Sequence, residues 1–226
     1  MAKRPFFISS DKSGCFYTEE NADFEFFSGF SISQKRLSIN SLHSSILKKY
    51  PNSRILEVSR KSESSLGNQL SAFNLLYTLK NGGKVPLENA FQSSKKFEYG
   101  GPYSELLSVT PVEAKQYGKL KESGNLISFI LEGEEWPLEP KTLFYDYIYI
   151  SSLFQNKELC KQLLDYDIFT DIEFNPKKSF NCQARSVAIC VSLIKQGIIE
   201  DFLSDKELFK RIYSNTKKEP IQTSLF

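Results

Sequence analysis

Three polar side chains recur at helical spacing within the segment PLENAFQSSKKF (residues 86–97), namely Glu88, Gln92 and Lys95. Intervals of four and seven residues place them on one side of an α-helix. A carboxylate can stabilise a developing cation or position water, and a lysine that loses its proton can attack carbon. The same spacing also describes a solvated helix face, on which a Glu–Lys attraction contributes only about 0.2–0.5 kcal/mol.

Further short motifs flank this segment in a defined order. LSAFN (residues 70–74) and the turn Gly82-Gly83 precede it; TPVEAKQYGK (residues 110–119), Trp136, FQNKELCKQLL (residues 154–164) and TDIEF (residues 170–174) follow it. With these motifs, the stretch from about residue 70 to residue 185 resembles the NADAR family of N-glycosidases.

The chain departs from the common NADAR pattern in two places. It has NPKKSFNCQARS (residues 175–186) where common members carry an aspartate and a Trp-Gly pair, and residues 1–69 precede the motifs. With these two departures, the chain looks like the branch of the family associated with DarT-type toxins, which ADP-ribosylate guanine bases in DNA. The resemblance implies an antitoxin enzyme that removes ADP-ribose from DNA, with the cognate ADP-ribosyltransferase as its functional partner.

Two other functions stay open at the level of sequence. One is a NADAR N-glycosidase that acts on small ribosylated metabolites, such as riboflavin-pathway intermediates. The other is a non-catalytic module that binds ADP-ribosylated DNA or a toxin, and it predicts binding without turnover.

The implied reaction cleaves an N-glycosidic bond through a transition state with oxocarbenium character. By the match to the family, Glu88 is the expected catalytic carboxylate and Glu173 the second. A neutral lysine offers another route, because its amine can attack the anomeric carbon and open the ribose to an imine. Lys95 and Lys35 are the candidates, and a neighbouring Arg36 would lower the pKa of Lys35 if both face one pocket. The alternative for Lys35 is an exposed helix lysine, and imine and carboxylate-assisted hydrolysis both stay open.

Substrate binding requires side chains for a diphosphate, for flat bases and for polar base or ribose edges. The sequence lacks a Rossmann or P-loop glycine motif, so the phosphate candidates lie in the basic, hydroxyl-rich SRKSESS (residues 59–65). Aromatic rings can stack on bases, although core packing is the alternative for each, and planar amides can read edges. The candidates are Arg60, Lys61 and Ser62 for phosphate; Phe73, Tyr99 and Trp136 for stacking; and Asn74, Gln92, Asn181 and Gln183 for edges.

The chain ends in QTSLF, which resembles the peptide by which bacterial repair proteins dock on the sliding clamp. In that peptide a glutamine forms hydrogen bonds and a Leu-Phe pair fills an apolar pocket, roles that would fall to Gln222, Leu225 and Phe226. The alternative is a C-terminus that folds back on the domain. Residues 214–226 are predicted to form a flexible tail.

Composition limits the other partners. The net charge of +2 argues against a histone-like binder, and no apolar run is long enough to span a bilayer or to form a signal peptide, so we expect a cytoplasmic protein without a membrane partner. His43 is the single histidine and the four cysteines form no Cys-x-x-Cys pair, which disfavours a zinc site. Neither a metal nor another cofactor is expected.

The pattern of apolar residues predicts a helix-rich α+β fold. We expect one domain over residues 1–213, in which residues 1–69 are an integrated N-terminal extension and residues 70–213 the family core. Strands are predicted at residues 5–9, 15–19, 24–27, 54–59 and 170–174, and residues 70–79 are ambiguous. Helices are predicted at residues 31–49, 87–97, 141–165, 182–196 and 205–213, with another that begins after Thr110-Pro111.

Overall fold

A computed structural model of the chain describes residues 1–29 and 31–214. The strands in these ranges are β1 (Ala2–Ile8), β2 (Thr18–Phe24), β3 (Ile55–Glu57), β4 (Leu76–Thr78), β5 (Lys84–Pro86), β6 (Lys95–Phe97), β7 (Leu126–Leu131), β8 (Glu134–Trp136) and β9 (Ile168–Thr170). The helices are α1 (Ile32–Lys49), α2 (Ser65–Gln69), α3 (Leu87–Ser93), α4 (Pro111–Gln116), α5 (Lys119–Glu122), α6 (Leu143–Phe154), α7 (Lys157–Leu163), α8 (Gln183–Lys195), α9 (Ile199–Ser204) and α10 (Lys206–Ser214). The α+β class with helices in the majority is confirmed.

A four-stranded mixed sheet lies at the centre of the fold, in the order β2-β1-β9-β3. β1 pairs antiparallel with β2 and β9, whereas β3 pairs parallel with β9. Successive side chains of a strand point to opposite faces, so Phe6 packs with Leu42 and Ile46 of α1 while its neighbour Phe7 packs in the larger core. Helices thus cover both faces of the sheet.

Helices α6 and α8 form the larger core and fix the loops that precede them. Every residue from Ala184 to Leu193 is buried, as expected for a helix enclosed on all sides. Most of α6 is buried too, and its Tyr149 hydroxyl donates to the Leu70 carbonyl oxygen at 2.5 Å, which ties the LSAFN segment to the core. Helices in the described ranges lack the combined length and apolarity needed to cross a membrane.

Several helix predictions are confirmed with their caps. The Ser31 hydroxyl accepts a hydrogen bond from the Gln34 N–H at the start of α1, and Tyr50 ends that helix. Thr110 and Glu113 form a reciprocal capping box on α4. The predicted helices at residues 182–196 and 205–213 correspond to α8 and α10.

The predicted strands at residues 15–19 and 24–27 are wrong in extent. The strand between them, β2, pairs with β1 over its whole length, and only Ala22 and Phe24 of it are buried. As an edge strand, β2 presents Glu19, Asn21 and Asp23 away from the core. Because these residues are polar, the sequence of β2 does not resemble that of a typical strand.

Three other predicted boundaries are corrected. The helix predicted over residues 87–97 ends at Ser93, because residues 95–97 pair with β7 as strand β6. The predicted helix over residues 141–165 is divided into α6 and α7 at Asn156, whose side chain caps α7. The strand predicted at residues 170–174 lies earlier, at Ile168–Thr170, and residues 70–79 form turns followed by β4. The predicted clamp-binding residues Gln222, Leu225 and Phe226 lie outside the described residues.

Candidate active site

A cavity of about 800 Å³ opens beside α3, α4 and the connection from β9 to α8. This volume lies within the range of small-molecule sites. Eight of the residues predicted from the sequence line it: Arg60, Phe73, Glu88, Gln92, Lys95, Glu173, Asn181 and Gln183. Segments distant in sequence therefore meet around one cavity that is open to solvent on one side.

Helix α3 forms the inner wall of the cavity. Its first residues are held in place because the Leu87 N–H donates to the Leu75 carbonyl and the Glu88 N–H donates to the Ala72 carbonyl. Glu88 is 6% exposed, and its Oε1 accepts a hydrogen bond of 2.9 Å from Nε2 of Gln92. Oε1 of Gln92 is buried and has no hydrogen-bond partner among the described residues, so it can accept a hydrogen bond from a ligand.

Lys95 reaches the same cavity although it lies beyond the end of α3, at the start of β6. Its Nζ lies 5.0 Å from the ring centroid of Phe91. Burial lowers the pKa of Lys95, and the positive charge of Lys115 lowers it further, while the Glu88 carboxylate opposes both. A lower pKa increases the fraction of neutral amine, which is the nucleophilic form.

Positive charge gathers around Phe73 at the mouth of the cavity. The Arg60 guanidinium carbon lies 4.1 Å and the Lys115 Nζ 5.2 Å from the ring centroid of Phe73. Lys115 also lies 3.9 Å from Oε1 of Glu88. This cluster combines a flat ring with two cations and therefore suits a nucleotide diphosphate.

Asp171 lines the cavity but was not predicted from the sequence, and the same holds for Lys115 on α4. Asp171 is 6% exposed; its Oδ1 accepts from the backbone N–H groups of Glu173 and Phe174, and its Oδ2 accepts from Nε2 of Gln183 at 3.2 Å. Burial, followed by the nearby Glu57 carboxylate, raises the pKa of Asp171 to about 7. A carboxyl group with such a pKa can donate or accept a proton near neutral pH. Its position directly after the apolar Ile168–Thr170 strand was the available signal.

A buried hydrogen-bond network lies behind Asp171. Glu57, at 3% exposure, accepts from the hydroxyls of Ser59 at 2.7 Å and Thr170 at 2.6 Å and from the Ile172 N–H. The Thr170 hydroxyl gives its hydrogen to Glu57, so Nε2 of His43, 2.8 Å away, is the donor to Thr170. Burial lowers the pKa of His43 to about 4, so the ring is neutral.

Gln183 and Glu173 occupy different depths of the cavity. Gln183 links two segments, because its Oε1 accepts from the Ala72 N–H at 2.6 Å while its Nε2 donates to Asp171. Glu173 is exposed on the rim. The second carboxylate inside the cavity is therefore Asp171, two residues before the one that the family resemblance indicated.

Three predicted residues of the N-terminal region lie outside the lining of this cavity. Lys35 is on α1, where its Nζ lies 5.4 Å from the Phe26 ring, so it is not brought together with Glu88. Ser62 is buried in a turn in which its hydroxyl accepts from the Ser64 N–H, and the Lys61 N–H donates to the Ser59 hydroxyl. Of the proposed phosphate-binding segment, Arg60 alone lines the cavity.

Three further predicted residues also lie elsewhere. Asn74 is exposed, and its amide donates to the backbone and side chain of Asn68. Tyr99 is 82% exposed and away from the cavity. The stacking prediction for Trp136 is wrong, because the ring is 2% exposed and packs on Phe144 and Tyr147 in the core.

A family model described as the DarT1-associated NADAR antitoxin matches residues 2–223. The matched region includes β1, β2, β3, α1 and α2 before residue 70 together with α3, α4 and the connection from β9 to α8. No curated protein matches the chain.

Proposed function

The chain belongs to the DarT1-associated NADAR antitoxin family, and from this premise we propose that it is a metal-independent ADP-ribosylglycohydrolase that removes ADP-ribose from guanine bases in DNA. In this function it counters a DarT-type ADP-ribosyltransferase. The observation that carries the proposal is the meeting of a buried carboxylate, Glu88, and a desolvated lysine, Lys95, in one cavity with cations at its mouth.

Lys95 supplies the nucleophile in the mechanism that we favour. Its neutral Nζ attacks the anomeric carbon and forms a C–N bond, while the bond to the guanine nitrogen breaks and that nitrogen leaves with the electron pair and takes up a proton. The new amine then gives a proton to the ring oxygen as the ribose opens to an imine. Water adds to the imine carbon, and cleavage of the bond to Nζ releases ADP-ribose and the free amine.

The other lining residues match the charges of this reaction. Glu88 stabilises the cationic character that develops at the anomeric carbon. Arg60 and Lys115 bind the diphosphate, and Phe73 stacks on a base. Gln92, with its unpaired Oε1, takes part in binding hydroxyl or amino groups of the substrate, as do Asn181 and Gln183, which also line the cavity.

Asp171 provides the proton that the departing guanine requires. Its raised pKa keeps a substantial fraction of the carboxyl protonated near neutral pH. In carboxylate-assisted hydrolysis, the alternative mechanism, the same group would serve with Glu88 and a water molecule would attack in place of Lys95.

We expect Asp171→Asn to lower kcat/KM by about 100-fold and to remove the alkaline decline of the pH profile. General acid catalysis contributes about 10²–10⁴-fold, and it is lost as the pH rises through about 7 and Asp171 deprotonates. The measurement is kcat/KM from pH 5 to 10. Asp165→Asn, which alters an exposed carboxylate, is the control and should retain the decline. An unaltered decline in Asp171→Asn would exclude the assignment.

The proposed activity is tested with chelator present and three substrates: a single-stranded oligonucleotide with ADP-ribosylated guanine, the same oligonucleotide unmodified, and a ribosylated riboflavin-pathway intermediate. We expect release of ADP-ribose from the modified oligonucleotide, and at least 100-fold slower release by Glu88→Gln, because charge stabilisation at such sites contributes about 10²–10³-fold.

Each other outcome supports one of the alternatives. Cleavage of the metabolite alone would favour the small-molecule N-glycosidase. Binding of the modified oligonucleotide without release of ADP-ribose would favour the non-catalytic module.

A further inference from the structure

An exposed aromatic ring lies on the rim of the cavity, in the connection from β9 to α8. Phe180 is 60% exposed, which makes it the most exposed phenylalanine in the part of the chain that the structure describes. The Nζ of Lys141 lies 4.2 Å from its ring centroid, and Lys178 and Ser179 line the same rim. The rim therefore presents a flat apolar surface beside two lysines.

A hydrogen bond from the protein core fixes the backbone of Phe180. Its carbonyl oxygen accepts a 3.1 Å hydrogen bond from Nη1 of Arg185. Nη2 of the same Arg185 is paired with Asp146 at 3.0 Å, and Asp146 is fully buried. The backbone that carries the ring is thus held at the rim by an anchor in the core, which reduces the conformational entropy that this segment loses when a ligand binds.

The Phe180 rim comes from a different segment of the chain than the cluster around Phe73. Phe73 lies between Arg60 and Lys115, close to Glu88, whereas Phe180 belongs to the segment that carries Asp171 and Gln183. A guanine modified within a DNA strand has flanking nucleotides, and these need a surface beyond the side chains that act on the modified guanine. A ring with adjacent lysines is the common arrangement for unpaired strands, because bases stack on the ring and phosphates meet the cations.

Resting on the proposed function, we propose that Phe180, Lys141 and Lys178 form a binding site for an unpaired nucleotide that flanks the modified guanine. The base stacks on Phe180, and its phosphate lies between the lysines. This site makes the enzyme prefer a single-stranded polynucleotide to an isolated ADP-ribosylated nucleoside.

The test compares Phe180→Ala with the unaltered protein on two substrates, an ADP-ribosylated single-stranded oligonucleotide and ADP-ribosylated guanosine. Stacking of one base contributes about 1–3 kcal/mol, so we expect KM for the oligonucleotide to rise about tenfold or more. The value of kcat/KM for the nucleoside should stay within twofold. Phe180→Trp, which keeps a ring, should restore tight binding of the oligonucleotide.

The matched control is Phe26→Ala, which removes another partly exposed ring next to a lysine, but away from the cavity. Phe26→Ala should leave KM and kcat/KM unchanged on both substrates. Equal losses on both substrates would overturn the proposal, because Phe180 would then contact the ADP-ribose itself, and unchanged kinetics on both would overturn it as well.

Binding of an unmodified fluorescent oligonucleotide, followed by anisotropy, separates this proposal from the proposed catalysis. The flanking-nucleotide site predicts weaker binding by Phe180→Ala even if the protein releases no ADP-ribose. If Phe180→Ala instead binds the oligonucleotide normally but loses affinity for the cognate ADP-ribosyltransferase, the rim is a protein contact and the nucleotide site is refuted.

Discussion

Replacing Lys95 with methionine is expected to lower kcat on ADP-ribosylated DNA by at least 1,000-fold. The substitution keeps the length and apolar stem of the side chain but removes the amine that attacks the anomeric carbon. Loss of a covalent nucleophile has effects of this order or larger. Lys95→Arg should be equally inactive, because a guanidinium retains its charge and cannot form the imine.

The imine itself is measurable. Reduction with cyanoborohydride during turnover converts the imine to a stable secondary amine, so ADP-ribose should remain attached to Lys95 and be located by mass spectrometry of peptides. Lys96→Met is the matched control, because the neighbouring Lys96 donates to the Gly101 carbonyl oxygen and does not line the cavity. It should keep both turnover and the trapped adduct. Turnover by Lys95→Met at a normal rate, with no trapped adduct in the unaltered protein, would establish carboxylate-assisted hydrolysis instead.

The choice between the two predicted lysines illustrates what a fold adds to a sequence. Lys35 has an arginine beside it, which is a local reason to expect a reactive amine. The structure places Lys35 on α1 beside Phe26, and it places Lys95 next to Glu88 and Lys115. Proximity between α3, β6 and α4 is a tertiary property, so no local pattern could rank the two.

Those parts of the fold that depend on local interactions could be predicted from the sequence. The caps at Ser31 and Thr110 are formed by neighbouring residues, and the predicted helices begin where these residues stand. Strands such as β2 and β6 depend on partners distant in sequence. β2 is polar because it lies at a sheet edge, and β6 interrupts a helical pattern because it pairs with β7.

The residues of the candidate site also fall into those that local spacing could predict and those that it could not. Glu88 and Gln92 were found because α3 does present them one turn apart. Lys95 was predicted to lie on the same helix, yet it lines the cavity from the start of strand β6, so the predicted local structure of this residue was wrong. Phe180 lies in residues 175–186, which depart from the common family pattern, so the resemblance offered no guide to it. Asp171 lies inside the matching TDIEF motif, in which the resemblance indicated Glu173 instead.

A buried ion pair ties the C-terminal helix to this connection. Asp146 on α6 accepts from Nη2 of Arg185, from the Ser186 hydroxyl and, at 2.7 Å, from the hydroxyl of Tyr213 on α10. Burial acts to lower the pKa of Arg185, but the Asp146 carboxylate more than offsets this and the pKa is raised, so the arginine stays charged. Arg185 in turn holds the Phe180 carbonyl. One buried carboxylate therefore supports both α10 and the rim of the cavity.

Removal of that carboxylate by Asp146→Ala is expected to lower the free energy of unfolding by about 3–5 kcal/mol, because it leaves the Arg185 charge buried without its partner. For a chain of this size the midpoint of thermal unfolding should fall by roughly 10 °C. Calorimetry or chemical denaturation measures the change, and Asp165→Ala, which breaks the exposed 3.6 Å pair with Arg54, should alter the midpoint little.

The double variant Asp146→Leu/Arg185→Met removes both charges, so it should recover much of the lost stability. Because it also removes the hydrogen bond to the Phe180 carbonyl, it should still bind single-stranded DNA less tightly than the unaltered protein. Equal stability of Asp146→Ala and the unaltered protein would show that water replaces the carboxylate around Arg185.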